Sequence, residues 1–383
     1  MSTRIPLFDL RLEPADIEAV ADALRSGWLT MGPRTQQFEE AFARHLGTRH
    51  ALALSSCTAA LHLAYLAAGV GPGDEVIVPS FTFAATASAV VYCGARPVFA
   101  DIVALDRPTI DPHDVERLIT PRTKAVAAVH FGGYPAAVDT LAELCGAHGV
   151  ALIEDAAHAP SAELDGRKLG TFGLCGAFSF FSNKVLSAGE GGLLATDDDE
   201  VAARVARLRS HGMTSVTWDR HRGHADTYDV VEIGYNYRLD EPRAALALSR
   251  LARLGSDIER RRKLTLDYRQ ALGNLPDVVL PFDDADVAHS SCYVMPIMLS
   301  EHARQAEFRR TLREHGVQTS VLYPAVHEFS AYRERFPDVS LPVTEAAARS
   351  SVTLPLYPHM TAADHERVVQ AVEQALTVAP SWD

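Results

Sequence analysis

The segment Gly176-Ala-Phe-Ser-Phe-Phe-Ser-Asn-Lys184-Val-Leu-Ser-Ala-Gly-Glu-Gly-Gly192 places one lysine in a polar turn between two apolar runs, 177–181 and 193–195. The runs have the length and character of buried strands. The glycines that follow the lysine let the backbone approach closely and leave its side chain uncrowded. A lysine held among apolar walls loses proton affinity and becomes an amine nucleophile toward aldehydes. The ordinary alternative is a solvated turn lysine.

Two upstream segments complement this lysine. Gly149-Val-Ala-Leu-Ile-Glu-Asp155 has the pattern of a buried parallel strand that ends in an acid, where open α/β sheets build their sites. Ala51-Leu-Ala-Leu-Ser-Ser-Cys57-Thr58 predicts a strand, a polar turn and a helix start, whose free N–H groups bind phosphate. Taken alone, each segment is also compatible with a plain helix cap. Together the three segments suit an aldehyde, a cationic ring nitrogen and a phosphate, which pyridoxal phosphate (PLP) combines.

Strand-like and helical segments alternate through the first two-thirds of the 383 residues. This alternation predicts an α/β fold with a mainly parallel seven-stranded sheet covered on both faces. The expected strands are 51–54, 75–78, 96–100, 124–129, 150–154, 177–181 and 193–196. A helix that begins near 241 leads into further alternation, with extended segments at 291–299 and 320–323. We therefore expect a large domain, 1–245, and a smaller C-terminal α/β domain, 246–383.

Composition narrows the class of protein. No apolar stretch reaches the ~18 residues that a membrane span needs, and the first residues contain no signal-peptide pattern. The cysteines are odd in number, five, and form no C-x-x-C pair, which fits reduced thiols in the cytoplasm. A formal charge of −13 argues against nucleic-acid or anionic-membrane binding. The run Glu259-Arg-Arg-Arg-Lys263 is interpreted as the solvated face of a helix.

The stretch 208–231 is polar and has little periodicity. It contains the possible metal ligands His211, Asp219, His221, His224, Asp226 and Asp229. Their spacing matches no compact ligand motif, so no metal is expected. A surface loop and an active-site loop are the other two interpretations.

The order and spacing of several motifs resemble one family along nearly the whole chain. The motifs are Ser56-Cys57-Thr58-Ala-Ala-Leu-His-Leu, Gly71-Pro-Gly-Asp-Glu-Val-Ile-Val-Pro-Ser-Phe-Thr-Phe83, Arg96-Pro-Val-Phe-Ala-Asp101, Glu154-Asp155-Ala-Ala-His158, Phe178-Ser179-Phe180, Asn183-Lys184, Gly189-Glu-Gly-Gly192 and Gly234-Tyr-Asn236-Tyr-Arg238-Leu-Asp240. They are similar to those of the DegT/DnrJ/EryC1/StrS sugar aminotransferases, PLP enzymes of fold type I, the aspartate aminotransferase-like fold. Cys57 departs from this pattern, since relatives more often carry Ser-Gly-Thr at the turn.

The resemblance implies a role for each motif. Lys184 would hold PLP covalently and act as the acid–base group, and Asp155 would keep the pyridine nitrogen protonated. The phosphate would bind at Cys57 and Thr58. The remaining implied cofactor contacts are Phe83 over the ring, His158 where many relatives carry glutamine near the ring hydroxyl, Ser179 at the phosphate, and Asn236 from the second subunit of a homodimer with shared active sites.

The substrate is expected to be a nucleotide-linked keto-sugar, aminated with L-glutamate for amino-sugar or antibiotic biosynthesis. The preferred reaction is at C4 of a dTDP-4-keto-6-deoxyhexose. A 3-keto-sugar or a cyclitol is the alternative acceptor. The implied substrate contacts are His211, Arg238, Tyr323 and His327. The diphosphate must be received by a local basic patch, because the global charge repels it. A PLP-dependent sugar dehydratase would carry histidine in place of Lys184, and a non-enzymatic regulatory protein would tolerate the loss of Lys184 or Asp155.

Overall fold

The computed structural model describes residues 4–215, 218, 221, 223, 227–300 and 304–377. The strands are β1 (His50–Leu54), β2 (Glu75–Pro79), β3 (Arg96–Ala100), β4 (Thr123–Val129), β5 (Ala151–Asp155), β6 (Glu163–Leu164), β7 (Arg167–Lys168), β8 (Cys175–Ser179), β9 (Gly192–Thr196), β10 (Val278–Val279), β11 (Met295–Leu299) and β12 (Ser351–Leu354).

Helices precede, separate and follow these strands. They are α1 (Pro14–Arg25), α2 (Pro33–Leu46), α3 (Cys57–Ala67), α4 (Ala85–Tyr92), α5 (Pro112–Leu118), α6 (Val138–His148), α7 (Asp199–Leu208), α8 (Glu241–Leu251), α9 (Leu254–Leu272), α10 (Asp284–His289), α11 (Gln305–Glu314), α12 (Ser330–Arg333), α13 (Pro342–Ser350) and α14 (Ala362–Thr377). None of those in the described ranges is long and apolar enough to cross a bilayer.

The predicted seven-stranded, mainly parallel sheet is confirmed. Its strand order is β1-β9-β8-β5-β4-β2-β3, and β9 runs antiparallel to both of its neighbours. In the parallel part, Asp155 pairs with Val129 on one side and Ala177 on the other. The carboxyl ends of β4, β5 and β8 therefore meet at one edge of the sheet, where parallel α/β folds place their sites.

Both faces of this sheet are buried. Alternate residues of each strand point to opposite faces, so Ile77 and Leu152 join one apolar cluster while Val76 and Ile153 join the other. The first cluster packs under α2, and the second packs under α3 and α4. This two-sided burial explains why the strands are almost continuously apolar in sequence.

A third apolar cluster surrounds the antiparallel sheet β10-β11-β12. Ile5, near the start of the chain, pairs with Val317 and belongs to this cluster. The N-terminal residues thus pack with the C-terminal part of the chain. The division into 1–245 and 246–383 stays a prediction.

The segment 320–323, expected to be extended, contributes an isolated bridge between Ser320 and Thr353. One local expectation is wrong: the basic run of α9 is not one solvated face, since Arg261 is 5% exposed whereas Leu266 is 42% exposed. The Arg261 guanidinium donates to three backbone carbonyls, which holds the cation inside the protein.

Candidate active site

A cavity of about 420 Å³ opens at the carboxyl ends of β5 and β8. Residues from the large sheet line one side, and Tyr293, Leu322 and Tyr323 line the other. Eight of the predicted site residues meet here: Cys57, Thr58, Phe83, Asp155, His158, Ser179, Lys184 and Tyr323. Residues far apart in the chain thus share one cavity.

Lys184 lies in the turn after β8, and its backbone N–H donates to the carbonyl of Phe181 at 2.9 Å. Its Nζ lies 4.4 Å from the ring centroid of Tyr293. Burial lowers the pKa of the Lys184 amine to about 8, although the negative charge of Asp155 opposes the shift. The amine is thus available as a nucleophile near neutral pH.

Asp155 ends β5 and is 6% exposed. Its Oδ2 accepts from the Thr86 hydroxyl at 2.7 Å, and its Oδ1 accepts from the Ala157 N–H at 3.2 Å. Burial raises the pKa of this carboxyl, whereas the bonds from Thr86 and Ala157 and the charge of Lys184 oppose that rise. These bonds fix the orientation of the carboxylate in the cavity wall, where it can pair with a protonated ring nitrogen.

His158 and Tyr323 form a buried hydrogen-bonded pair, and a backbone N–H determines which of the two side chains donates. The Gly132 N–H donates to His158 Nδ1 at 3.2 Å, and His158 Nε2 lies 2.8 Å from the Tyr323 hydroxyl. Burial lowers the pKa of His158 well below its usual value, so the ring is neutral and its proton lies on Nε2. Nε2–H therefore donates to the Tyr323 oxygen, which leaves the Tyr323 O–H free to donate into the cavity.

The start of α3 forms a donor cradle. Ser56 caps the helix by accepting from the Ala59 N–H at 3.1 Å, and the first N–H groups of α3 have no intrahelical acceptor. A side chain at Gly192 would overlap the backbone of Ser56 and Cys57, so β9 passes directly against this turn. Burial raises the pKa of Cys57 well above its usual value and keeps it a neutral thiol.

The other four predicted site residues do not line this cavity. Asn236 is exposed and pairs with Ser210, and Arg238 is half-buried and pairs with Leu54. His211 is exposed, with a left-handed φ of 62°. His327 is buried away from the cavity, bonded to Ser80 at 2.8 Å and 3.4 Å from Glu345.

The structure adds two residues that the sequence does not indicate. Thr86 on α4 orients Asp155, and the Tyr293 ring stacks on His158 at 4.3 Å beneath the Lys184 amine. Thr86 reaches Asp155 only through tertiary packing, and nothing in its local sequence marks it. In the 208–231 stretch, Asp219, His224 and Asp226 lie outside the described residues, and elsewhere the described side chains form no metal-binding cluster.

Comparison with known proteins gives a match over nearly the whole chain. Residues 11–373 match the DegT/DnrJ/EryC1/StrS aminotransferase family. The chain belongs to this family. The enzyme is a sugar aminotransferase of the family, whose members depend on PLP. The chemistry of the lining fits that cofactor: an amine of lowered pKa, a fixed carboxylate and a helix N-terminus face one cavity.

Three relatives illustrate the likeness. The enzyme is 40% identical over 365 residues to the spore coat polysaccharide biosynthesis protein SpsC of Bacillus subtilis, covering 93% of each chain. It is 37% identical to S. venezuelae DesV, solved in complex with a ketimine intermediate, with a TM-score of 0.90 over 99% and 100% of the two chains. It is 33% identical to DesI, solved in the presence of its TDP-sugar product, with a TM-score of 0.88 over 98% and 94%.

Proposed function

We propose that the enzyme binds PLP and transfers the amino group of L-glutamate to a nucleotide-linked keto-sugar. The preferred acceptor is C4 of a dTDP-4-keto-6-deoxyhexose, with C3 of the 3-keto isomer and a cyclitol ketone as the alternatives. The observation that carries the proposal is the meeting of Lys184, Asp155 and the start of α3 around one cavity of about 420 Å³. PLP supplies an aldehyde and an electron-accepting ring to this chemistry.

Lys184 would hold the cofactor covalently in the resting enzyme and, once released, carry a proton at Nζ to and from the substrate carbon. Its lowered pKa, about 8, suits both tasks because the neutral and charged forms are both populated near neutral pH. Asp155 would hold a proton on the ring nitrogen, and Thr86 keeps its carboxylate in place. The first turn of α3 and Ser179 would bind the phosphate.

Tyr323 would orient the substrate. Because His158 donates to its oxygen, the Tyr323 O–H can donate only into the cavity, toward an oxygen of the sugar or the cofactor ring. Burial raises the pKa of Tyr323 well above its usual value, so this donor keeps its proton. Phe83, 63% exposed at the cavity rim, would cover the cofactor ring.

The relatives support a carbohydrate acceptor. SpsC is described by a role in polysaccharide biosynthesis, and DesI was solved with a TDP-sugar product. A regulatory protein without catalysis is the rival from another class. It has no need of a lysine of lowered pKa beside a fixed carboxylate, and this chain has both.

The proposal is tested by titrating the enzyme, converted by glutamate to its pyridoxamine form, with a panel of carbonyl compounds. The absorbance of the pyridoxal form should return rapidly with a keto-sugar nucleotide and slowly with 2-oxo acids other than 2-oxoglutarate. Rapid turnover of aliphatic amino acids in the absence of any sugar would instead indicate an ordinary amino-acid aminotransferase.

A further inference from the structure

The segment 320–327 connects the small sheet to the large one and carries Tyr323 near its middle. At one end, Ser320 pairs with Thr353 of β12 through two backbone hydrogen bonds of 2.8 and 3.3 Å. Tyr323 follows and is 7% exposed. Within the described ranges, none of the backbone N–H groups of residues 321–325 donates to a carbonyl. The position of Tyr323 therefore depends on what holds the two ends of this segment.

The other end of the segment is anchored to Ser80, the residue that follows β2 of the large sheet. The N–H of Val326 donates to the Ser80 carbonyl at 2.9 Å, and the N–H of His327 donates to the Ser80 hydroxyl oxygen at 3.0 Å. The His327 ring forms a third bond, with its Nδ1 2.8 Å from the same oxygen. Both side chains are buried. One serine thus takes part in three hydrogen bonds to this end of the segment.

Glu345 on α13 determines the direction of the bond between the two side chains. Its Oε1 lies 3.4 Å from His327 Nε2, and a carboxylate at this distance favours a proton on Nε2. The neutral ring then presents Nδ1 as an acceptor, so the Ser80 hydroxyl donates to it while accepting from the His327 N–H. Loss of the ring would leave the buried Ser80 hydroxyl without its acceptor, which is costly. His327 and Ser80 therefore act as one anchor.

We propose that His327 is a positioning residue, which through Ser80 holds the Tyr323 hydroxyl within bonding distance of His158. The inference rests on the proposed function, in which Tyr323 orients the sugar. His327 does not line the cavity, so it acts on the substrate only through Tyr323. Pro324 lies between Tyr323 and the anchor, and its ring fixes one of the connecting dihedral angles. A displacement at the anchor is therefore passed on to the 2.8 Å bond between Tyr323 and His158.

The test is a double-mutant cycle with Tyr323, measured in both half-reactions of the holoenzyme. His327→Ala should slow the keto-sugar half-reaction by about tenfold, as expected for Tyr323→Phe, and change the glutamate half-reaction by less than about twofold. In the Tyr323→Phe background, His327→Ala should cause no further slowing, because the hydroxyl that it positions is already absent. His327→Asn, whose Oδ1 can accept close to the place of Nδ1, should restore most of the rate.

A second measurement does not depend on the sugar. Hydrogen exchange followed by mass spectrometry should show faster exchange of the segment 320–327 in His327→Ala and in Ser80→Ala than in the wild type. His45→Ala is the matched control, since His45 is half-buried, bonds to the Ser161 hydroxyl at the same 2.8 Å and lies outside the cavity. The control should leave the exchange of this segment and both half-reactions unchanged.

Three outcomes would overturn the inference. Unchanged exchange of the segment 320–327 in both His327→Ala and Ser80→Ala would show that the anchor does not hold it. Slowing by His327→Ala that persists in the Tyr323→Phe background would assign His327 an effect of its own. Equal slowing of the two half-reactions would point to general damage to the fold. If the wild type aminates no keto-sugar, the proposed function fails, and the exchange measurement still decides whether His327 anchors the segment.

Discussion

Among single residues, the proposed chemistry depends most on Lys184 and its lowered pKa. Only the neutral amine attacks an aldehyde, so uptake of PLP by the cofactor-free protein should accelerate about tenfold per pH unit below pH 8 and level off above it. Stopped-flow absorbance across this pH range measures that rate.

The Lys184→Ala protein should no longer form a PLP adduct that borohydride can trap, and it should lose turnover. Lys168→Ala, which removes a lysine that pairs with Glu163, is the control and should retain both properties. Normal transamination by Lys184→Ala would contradict the assignment.

Tyr323 provides a second prediction at this scale. Tyr323→Phe removes the one hydroxyl that the His158 tautomer directs into the cavity, so the keto-sugar half-reaction should slow by about tenfold or more. The glutamate half-reaction should change little if Tyr323 contacts the sugar. Tyr268→Phe, which removes a buried hydroxyl bonded to the Pro355 carbonyl, is the matched control. Equal slowing of both half-reactions would place Tyr323 at the cofactor instead.

At the scale of elements, β9 and the start of α3 form one unit. A methyl group at position 192 would overlap the Ser56 and Cys57 backbone. Gly192→Ala should therefore destabilise the protein by about 1–3 kcal/mol and weaken PLP retention by displacing the phosphate cradle. Gly146→Ala in α6 meets open space and should do neither. Thermal unfolding and cofactor dissociation measure the two effects. Unchanged PLP retention in Gly192→Ala would show that β9 does not position the phosphate-binding start of α3.

The parts of the fold and of the site that can be predicted from the sequence are those that depend on local pattern within one strand or turn. The seven central strands are predictable because burial on both faces makes them short apolar runs between helical segments. Lys184 and Asp155 are predictable because each directly follows or ends such a strand. Thr86 and Tyr293 are not, since their roles arise from contacts between segments that are distant in sequence. The burial of Arg261 is not predictable for the same reason, since the carbonyl groups that accept from it belong to segments distant in sequence.

For the whole molecule, we propose a homodimer in which Asn236, exposed and outside the cavity of its own chain, completes the active site of the partner subunit. Lys184→Ala and Asn236→Asp proteins should each be inactive, the latter because a carboxylate would repel the phosphate. Mixing them should restore about a quarter of the wild-type activity per total site under random pairing, since each hybrid dimer contains one intact site. Full activity of Asn236→Asp alone, or an active monomer by sedimentation, would contradict shared sites.

Transfer of nitrogen from glutamate to a nucleotide-linked sugar can be followed with an isotope. The holoenzyme is incubated with nitrogen-labelled L-glutamate and a dTDP-4-keto-6-deoxyhexose, and the nucleotide sugar is then analysed by mass spectrometry and NMR. We expect a labelled amino group on the sugar, at C4, formed by the wild type and not by Lys184→Ala. A sugar nucleotide that remains free of label, across 4-keto and 3-keto acceptors while glutamate is consumed, would contradict it.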